Sequence, residues 1–244
     1  MSQQVTLSEI FGPTIQGEGP STGTPAVFVR FGRCNLDCAW CDTPYTWDWK
    51  SKNGIVFDPK EELSRTTVDD IVASVLKAYR ADLEVDARLV VITGGEPLVQ
   101  RKATLALAVA LGDEGFNVEI ETNGTFRPLP AVARVKYNIS PKLPSAGVNL
   151  KKALRPDILK MYLPLAFRGT ACLKFVVQDD EDLAAARRLV EDLGWPHEAV
   201  WLMPEGREVD KIDKGLKFLN SVPGNKYQIS DRLHVRLWGD ERGH

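Results

Sequence analysis

Hydrophobic and polar positions along this chain follow two rhythms. Short runs rich in β-branched and aromatic residues recur: AVFVRFG (26–32), RLVVIT (88–93), NVEIET (117–122), VKYNIS (135–140), LKFVVQ (173–178) and VWLMP (200–204). Their length and residue types predict buried strands. HVRLWG (234–239) is read as one more. Between several of these runs the apolar period lengthens to that of a helix. TVDDIVASVLKAYR sets Ile71, Val72, Val75 and Leu76 on one helical face, behind a capping-box-like start of Thr67 and Asp70. ATLALAVALGDEG predicts a helix with Gly112 and Gly115 available to end it. DEDLAAARRLVEDLG begins on acids and stops at Gly194, and DKGLKFLNSV reads as a shorter helix.

Strands alternating with helices predict an α/β fold with a largely parallel sheet. The units are too few for a closed eight-stranded barrel, so the expectation is a partial, TIM-like β/α barrel. Such folds place ligands at the C-terminal ends of their strands. The unusual motifs fall there: CNLDCAWC after the first run, GGEP after RLVVIT, NGT after NVEIET and PK after VKYNIS. With no internal repeat or low-complexity tract, residues 1–244 read as a single domain. The polar and aromatic segment 44–65 reads as an inserted loop or lid.

Composition narrows the function. The chain has 31 basic and 33 acidic residues, a formal net charge of −2, and is 43% hydrophobic. That balance suits a soluble globular protein and supplies no broad field for nucleic acid or anionic lipid. The start, MSQQVTLSEIFGP, lacks the layout of a secretory signal, and no apolar run is long enough to span a bilayer. The expectation is a cytoplasmic protein without structural disulfides.

Three of the four cysteines crowd into eight residues, Cys34 to Cys41. A disulfide between Cys38 and Cys41 would be strained, and the expected compartment is reducing. Structural zinc would need a fourth ligand from Cys172, His197, His234 or His244, none of which has a partner at zinc-ligand spacing. An iron–sulfur cubane held by three thiolates leaves one iron open to a ligand carrying an amine and a carboxylate. Trp40 gives the loop an aromatic face. Cys172, starting an apolar run, reads as a small core residue.

The spacing C-x3-C-x2-C, with an aromatic before the last cysteine, resembles the radical S-adenosylmethionine superfamily, as does TGGEP (93–97). The stretch IFGPTIQGEGPSTGTPAVFVRFGRCNLDCAWCDTPYTWDW, with TNGT (122–125) and SPK (140–142), is similar to the 7-carboxy-7-deazaguanine synthase family. The resemblance implies the superfamily's partial barrel. It implies a ring contraction of 6-carboxytetrahydropterin to 7-carboxy-7-deazaguanine with release of ammonia. The hydrogen atom would be abstracted from C6 of the pterin by a 5′-deoxyadenosyl radical and later returned.

Carried over position by position, Cys34, Cys38 and Cys41 would bind a 4Fe-4S cluster. Trp40, Cys41, Asp42, Gly95, Ser140, Pro141 and Lys142 would border S-adenosylmethionine, with Glu96 supplying negative charge near its ammonium. Thr43 would bind magnesium, for which a hydroxyl is a suitable hard ligand. Ile15, Gln16, Gly17, Arg30 and Thr93 would hold the pterin, with Glu18 close by and Arg30 pairing with its carboxylate. The resemblance also implies a homodimer and an electron donor such as a flavodoxin or ferredoxin.

Some members carry an insertion between the first two cysteines that this chain lacks. In some, the C-terminal end reaches the substrate; here the tail RLHVRLWGDERGH, including His234, receives no role. Two rivals share parts of the pattern: a radical activating enzyme that acts on a partner protein, and a non-enzymatic iron–sulfur or zinc module.

Overall fold

The computed structural model of the chain describes residues 2–52, 54–81, 86, 88–131 and 135–243. His244, one of the candidate zinc ligands, lies outside them. Among the described residues nine strands form one sheet: β1 (Gln4–Ile15), β2 (Pro25–Phe31), β3 (Ser64–Thr67), β4 (Leu89–Gly94), β5 (Asn117–Thr122), β6 (Val135–Ile139), β7 (Ala171–Val177), β8 (Val200–Pro204) and β9 (Gln228–Ile229). Their order is β3-β1-β2-β4-β5-β6-β7-β8-β9. From β2 to β9 every neighbouring pair is parallel, whereas β1 runs antiparallel to both β2 and β3. The sheet stays open between β3 and β9, so the architecture is a partial β/α barrel.

The longer helices among the described residues are α1 (Val68–Ala81), α2 (Arg101–Asp113), α3 (Asp180–Leu193), α4 (Val209–Ser221) and α5 (Leu233–Trp238). The capping box of α1 forms, since Thr67 Oγ1 accepts from Asp70 N at 3.2 Å and Asp70 Oδ2 from Thr67 N at 3.3 Å. Asp179 caps α3 by accepting from the amides of Glu181 and Asp182. Gly194 ends the same helix at φ 65°, in the left-handed region.

Strand alternation divides the sheet into two chemically different faces. Val27, Val29 and Phe31 of β2, Val90 and Ile92 of β4, Val118 and Ile120 of β5, and Leu173, Phe175 and Val177 of β7 all join the main core beneath the helices. The residues between them face the concave side. There, Ala26, Phe28, Leu89 and Val91 form a small apolar floor with Phe11. Nearer the C-terminal strand ends the same face carries Arg30, Thr93, Glu121, Asn138 and Lys174. The convex face is thus packed for stability, and the concave face keeps polar groups beside a space.

Three strands depart from the sequence reading. β1 is absent from it because the apolar alternation breaks: the pairing with β2 shifts register between Leu7 and Glu9 and between Phe11 and Thr14. β3 occupies the end of the segment read as a lid, and β9 has only two residues. HVRLWG is corrected outright, because it lies in helix α5. Its period-two look was misleading. In a strand Val235 and Leu237 would share a face, but Val235 is 2% exposed and Leu237 54%. Among the described residues no helix is long and apolar enough to cross a membrane.

Candidate active site

A cavity of about 480 Å³ opens at the C-terminal ends of the parallel strands. The cysteine loop forms one side of it. Cys34, Cys38, Trp40, Cys41, Asp42 and Thr43 all line it. So do Gly95, Ser140 and Lys142 from the loops after β4 and β6, and Ile15, Gln16, Gly17, Glu18, Arg30 and Thr93. Of the residues singled out from the sequence for cofactor or substrate, Pro141 and Glu96 are outside the lining, and both are buried.

The cysteine loop is built to hold its thiols in place. All four cysteines are free. Leu36 and Cys38 pack with Ala146 and Ala153 in a small apolar cluster, against which Cys34, Trp40 and Cys41 rest. Ala39 N donates to Ala146 O at 2.9 Å. Asn35 ties the loop to TNGT, accepting from Asn123 Nδ2 and donating to Thr125 Oγ1, both at 2.9 Å. Trp47 Nε1 donates to Cys41 Sγ at 3.2 Å, and Thr43 Oγ1 lies 3.7 Å from the same sulfur. Lys142 Nζ donates to Ser140 Oγ and sits 5.2 Å from the centre of the Trp40 ring.

Among the described residues, no three His, Cys, Asp or Glu side chains close on one point that could hold a single ion. A cubane needs a wider spread, because each thiolate binds a different iron. Cys172 is no fourth ligand: it is buried on β7 and donates to Asn138 Oδ1 at 3.0 Å. His197 packs edge-on to Tyr227 instead. Burial is the leading cause that raises all three loop thiols, Cys34 to about 12, so as thiolates they would need a bound metal to hold them.

The glycines of TGGEP have a definite cause. A Cβ on Gly94, at φ 134°, would stand 2.1 Å from Phe31 O, and one on Gly95 2.2 Å from Arg33 O. The close approach that excludes a side chain is therefore to the backbone entering the cysteine loop. Glu96 does not line the cavity. It is fully buried and accepts from Leu98 N, Thr122 Oγ1 and Asn123 N at 2.7–3.0 Å. Burial lifts its carboxyl to about 7 in spite of those donors. Glu96 therefore joins two rim loops to each other.

On the opposite side, the QGEG loop is held from the C-terminal segment. Leu233 N donates to Gly17 O at 2.9 Å and Gly19 N to Ser230 Oγ at 2.8 Å. Gly17 leaves room for His234, whose Nδ1 would stand 2.2 Å from a Cβ there. Gln16 Nε2 donates to Glu119 and Glu121, each at 3.2 Å, and Thr93 Oγ1 donates to Glu121 Oε2 at 2.7 Å. Glu18 meets Lys174 Nζ at 2.5 Å and Arg232 Nε at 2.9 Å. Burial alone would raise its carboxyl, but the two cations hold it well below the usual carboxylate range. Arg232 also reaches Asp42 Oδ2 at 2.6 Å, linking the QGEG loop to the end of the cysteine loop.

Lys174, Glu119, Glu121, Asn138, Arg232 and His234 were not assigned to the site from sequence. The usable signal was charge inside runs read as buried: Lys174 in LKFVV, and Glu119 with Glu121 at period two in NVEIET. Such residues need partners.

An open β/α barrel whose rim carries three clustered cysteines and a glycine-rich loop defines a class, that of the radical S-adenosylmethionine proteins. The Radical SAM superfamily matches residues 28–143. The chain is 36% identical over 244 residues to the 7-carboxy-7-deazaguanine synthase of Pyrobaculum aerophilum, covering 98% of this chain and 97% of that protein. It is 34% identical to the same enzyme of Rhodopirellula baltica, covering 97% and 88%. The crystal structure of QueE from Escherichia coli matches with a TM-score of 0.66 at 25% identity, covering 95% of each chain. The chain belongs to the 7-carboxy-7-deazaguanine synthase family. Its class implies a 4Fe-4S cluster and S-adenosylmethionine, and the three free thiols on one cavity wall fit that cluster.

Proposed function

We propose that this chain is a 7-carboxy-7-deazaguanine synthase, converting 6-carboxy-5,6,7,8-tetrahydropterin to 7-carboxy-7-deazaguanine with loss of ammonia. The observation that carries this reading is convergence: the cysteine loop, the QGEG loop and Arg30 face one cavity of a size suited to a cofactor and a small substrate. When bound, the cluster and S-adenosylmethionine supply the one-electron chemistry. The protein's own part is to hold, orient and enclose.

Cys34, Cys38 and Cys41 hold the cluster. Trp40, Asp42, Gly95 and the segment Ser140, Pro141 and Lys142 border S-adenosylmethionine, Pro141 as backing for its two neighbours. Ile15, Gln16, Gly17 and Thr93 grip the pterin beside Glu18, and the Arg30 guanidinium takes its carboxylate. Thr43, which lines the same cavity, would offer magnesium a hard oxygen. Segment 44–65 serves as a wall of the site within a single domain, since Tyr45, Trp47, Ile55 and Phe57 line the cavity.

Anaerobically reconstituted protein with reductant and magnesium should turn 6-carboxytetrahydropterin over to the deazapurine acid without a protein substrate. A fully loaded enzyme that cleaves S-adenosylmethionine but leaves the pterin unchanged would sink this reading and favour an activating enzyme. A cytoplasmic homodimer fed by a flavodoxin or ferredoxin goes with the same reading. Sedimentation and reconstitution with either carrier check those two points.

A further inference from the structure

Arg242 of the C-terminal tail lines the cavity and joins the group of side chains around Arg30. Glu9 on β1 stands directly opposite Arg30 on β2 in the antiparallel ladder. Glu9 Oε1 accepts from Arg30 Nε at 2.6 Å and from the Tyr45 hydroxyl at 3.1 Å. Its other oxygen, Oε2, accepts from Arg242 Nε at 2.9 Å. Arg242 is fixed in turn: Nη1 donates to Glu62 Oε2 at 2.7 Å, and the guanidinium carbon lies 3.9 Å from the centre of the Tyr45 ring. The Glu9 and Arg30 side chains are only 16% and 14% exposed, so water screens this arrangement weakly.

A carboxylate beside a lone arginine prefers a two-pronged pairing that takes two guanidinium nitrogens. Here the second oxygen of Glu9 accepts from Arg242 instead. Arg30 is then held through Nε, on the edge away from its forked end, while its side chain lines the cavity. The ring of Phe11, 5.3 Å from the Arg30 guanidinium carbon, supports it from the side. The contact between Arg30 and Glu9 thus runs through one guanidinium nitrogen, Nε.

We propose that Arg242 is a positioning residue that keeps Glu9 from closing on Arg30, so that the forked end of Arg30 stays available for the carboxylate of the substrate. This rests on the assignment of Arg30 to that carboxylate. The prediction for Arg242→Ala is a KM for 6-carboxytetrahydropterin raised about tenfold with kcat changed less than about twofold, the pattern of lost uniform binding. Inhibition by tetrahydropterin without the carboxylate should stay unchanged. Adding Glu9→Gln, which keeps an acceptor for Arg30 Nε but removes the competing charge, should return KM toward the wild-type value. Arg242→Lys should fall between, because it keeps the charge but not the fork.

An unchanged KM in Arg242→Ala would overturn the proposal. So would an equal loss of affinity for the carboxylate-free pterin, which would indicate general damage to the cavity. If Arg242→Ala proves unstable, the comparison of Arg242→Lys with and without Glu9→Gln decides: rescue supports the proposal and its absence overturns it. Wild-type protein inert toward the pterin would instead strike the proposed function, a separate outcome from either.

Discussion

Lys174 shows how one residue joins distant parts of the chain. Its Nζ meets Glu18 at 2.5 Å and lies 3.9 Å from Glu121, with only 6% of the side chain exposed. Removing one member of a buried pair leaves the other charge uncompensated. Lys174→Met should therefore destabilise the protein by about 3 kcal/mol, the lower end of such losses because Arg232 still faces Glu18. Urea unfolding checks this. Glu18 also predicts a pH dependence. Its carboxyl is held below the ordinary 4.5, so its contribution is present above that value and lost as pH falls beneath it. Wild-type protein should lose stability on acidification from about pH 4.5 to pH 3, and Glu18→Gln should lose less over the same window, as read by thermal midpoints.

Loops and helices around the rim act as struts for one another. Glu96 satisfies donors of its own turn and of the TNGT loop at once. Glu96→Gln would aim an amide NH2 at one of those donors. The expected cost is about 2 kcal/mol, with faster hydrogen exchange at Asn123 and Leu98 than elsewhere on the rim. Helix α5 is a second strut, and its identity as a helix is testable. Leu237→Glu, at an exposed position, should change stability by no more than about 0.5 kcal/mol, while Val235→Glu should detach the tail. Equal damage from both would restore the strand reading of HVRLWG.

Across the molecule, stability and chemistry rest on different packing units. The main core beneath the helices runs from Val5 on β1 to Leu219 on α4. The cysteine loop belongs instead to a small satellite cluster of Leu36, Cys38, Ala146 and Ala153. Stripping the cluster with a chelator should abolish binding of S-adenosylmethionine and leave far-UV circular dichroism unchanged. Collapse of the secondary structure on iron loss would show that the two units are coupled.

What could be read from residue order was local. The cysteine spacing, QGEG, TGGEP and TNGT are short motifs whose chemistry lies within a few residues, and the parallel strands announce themselves by length and composition. β1 was hidden because its irregular pairing breaks the alternation, and α5 because six residues suit either period. Other features depended on the sheet bringing distant strands together. A lysine in LKFVV and an arginine in the tail carry no mark of the glutamate they share, since Glu18 is 156 residues from Lys174 in sequence. Strand order alone puts them around one cavity. Burial then decides their charge state, because a charge in a water-poor site persists only beside an opposite one.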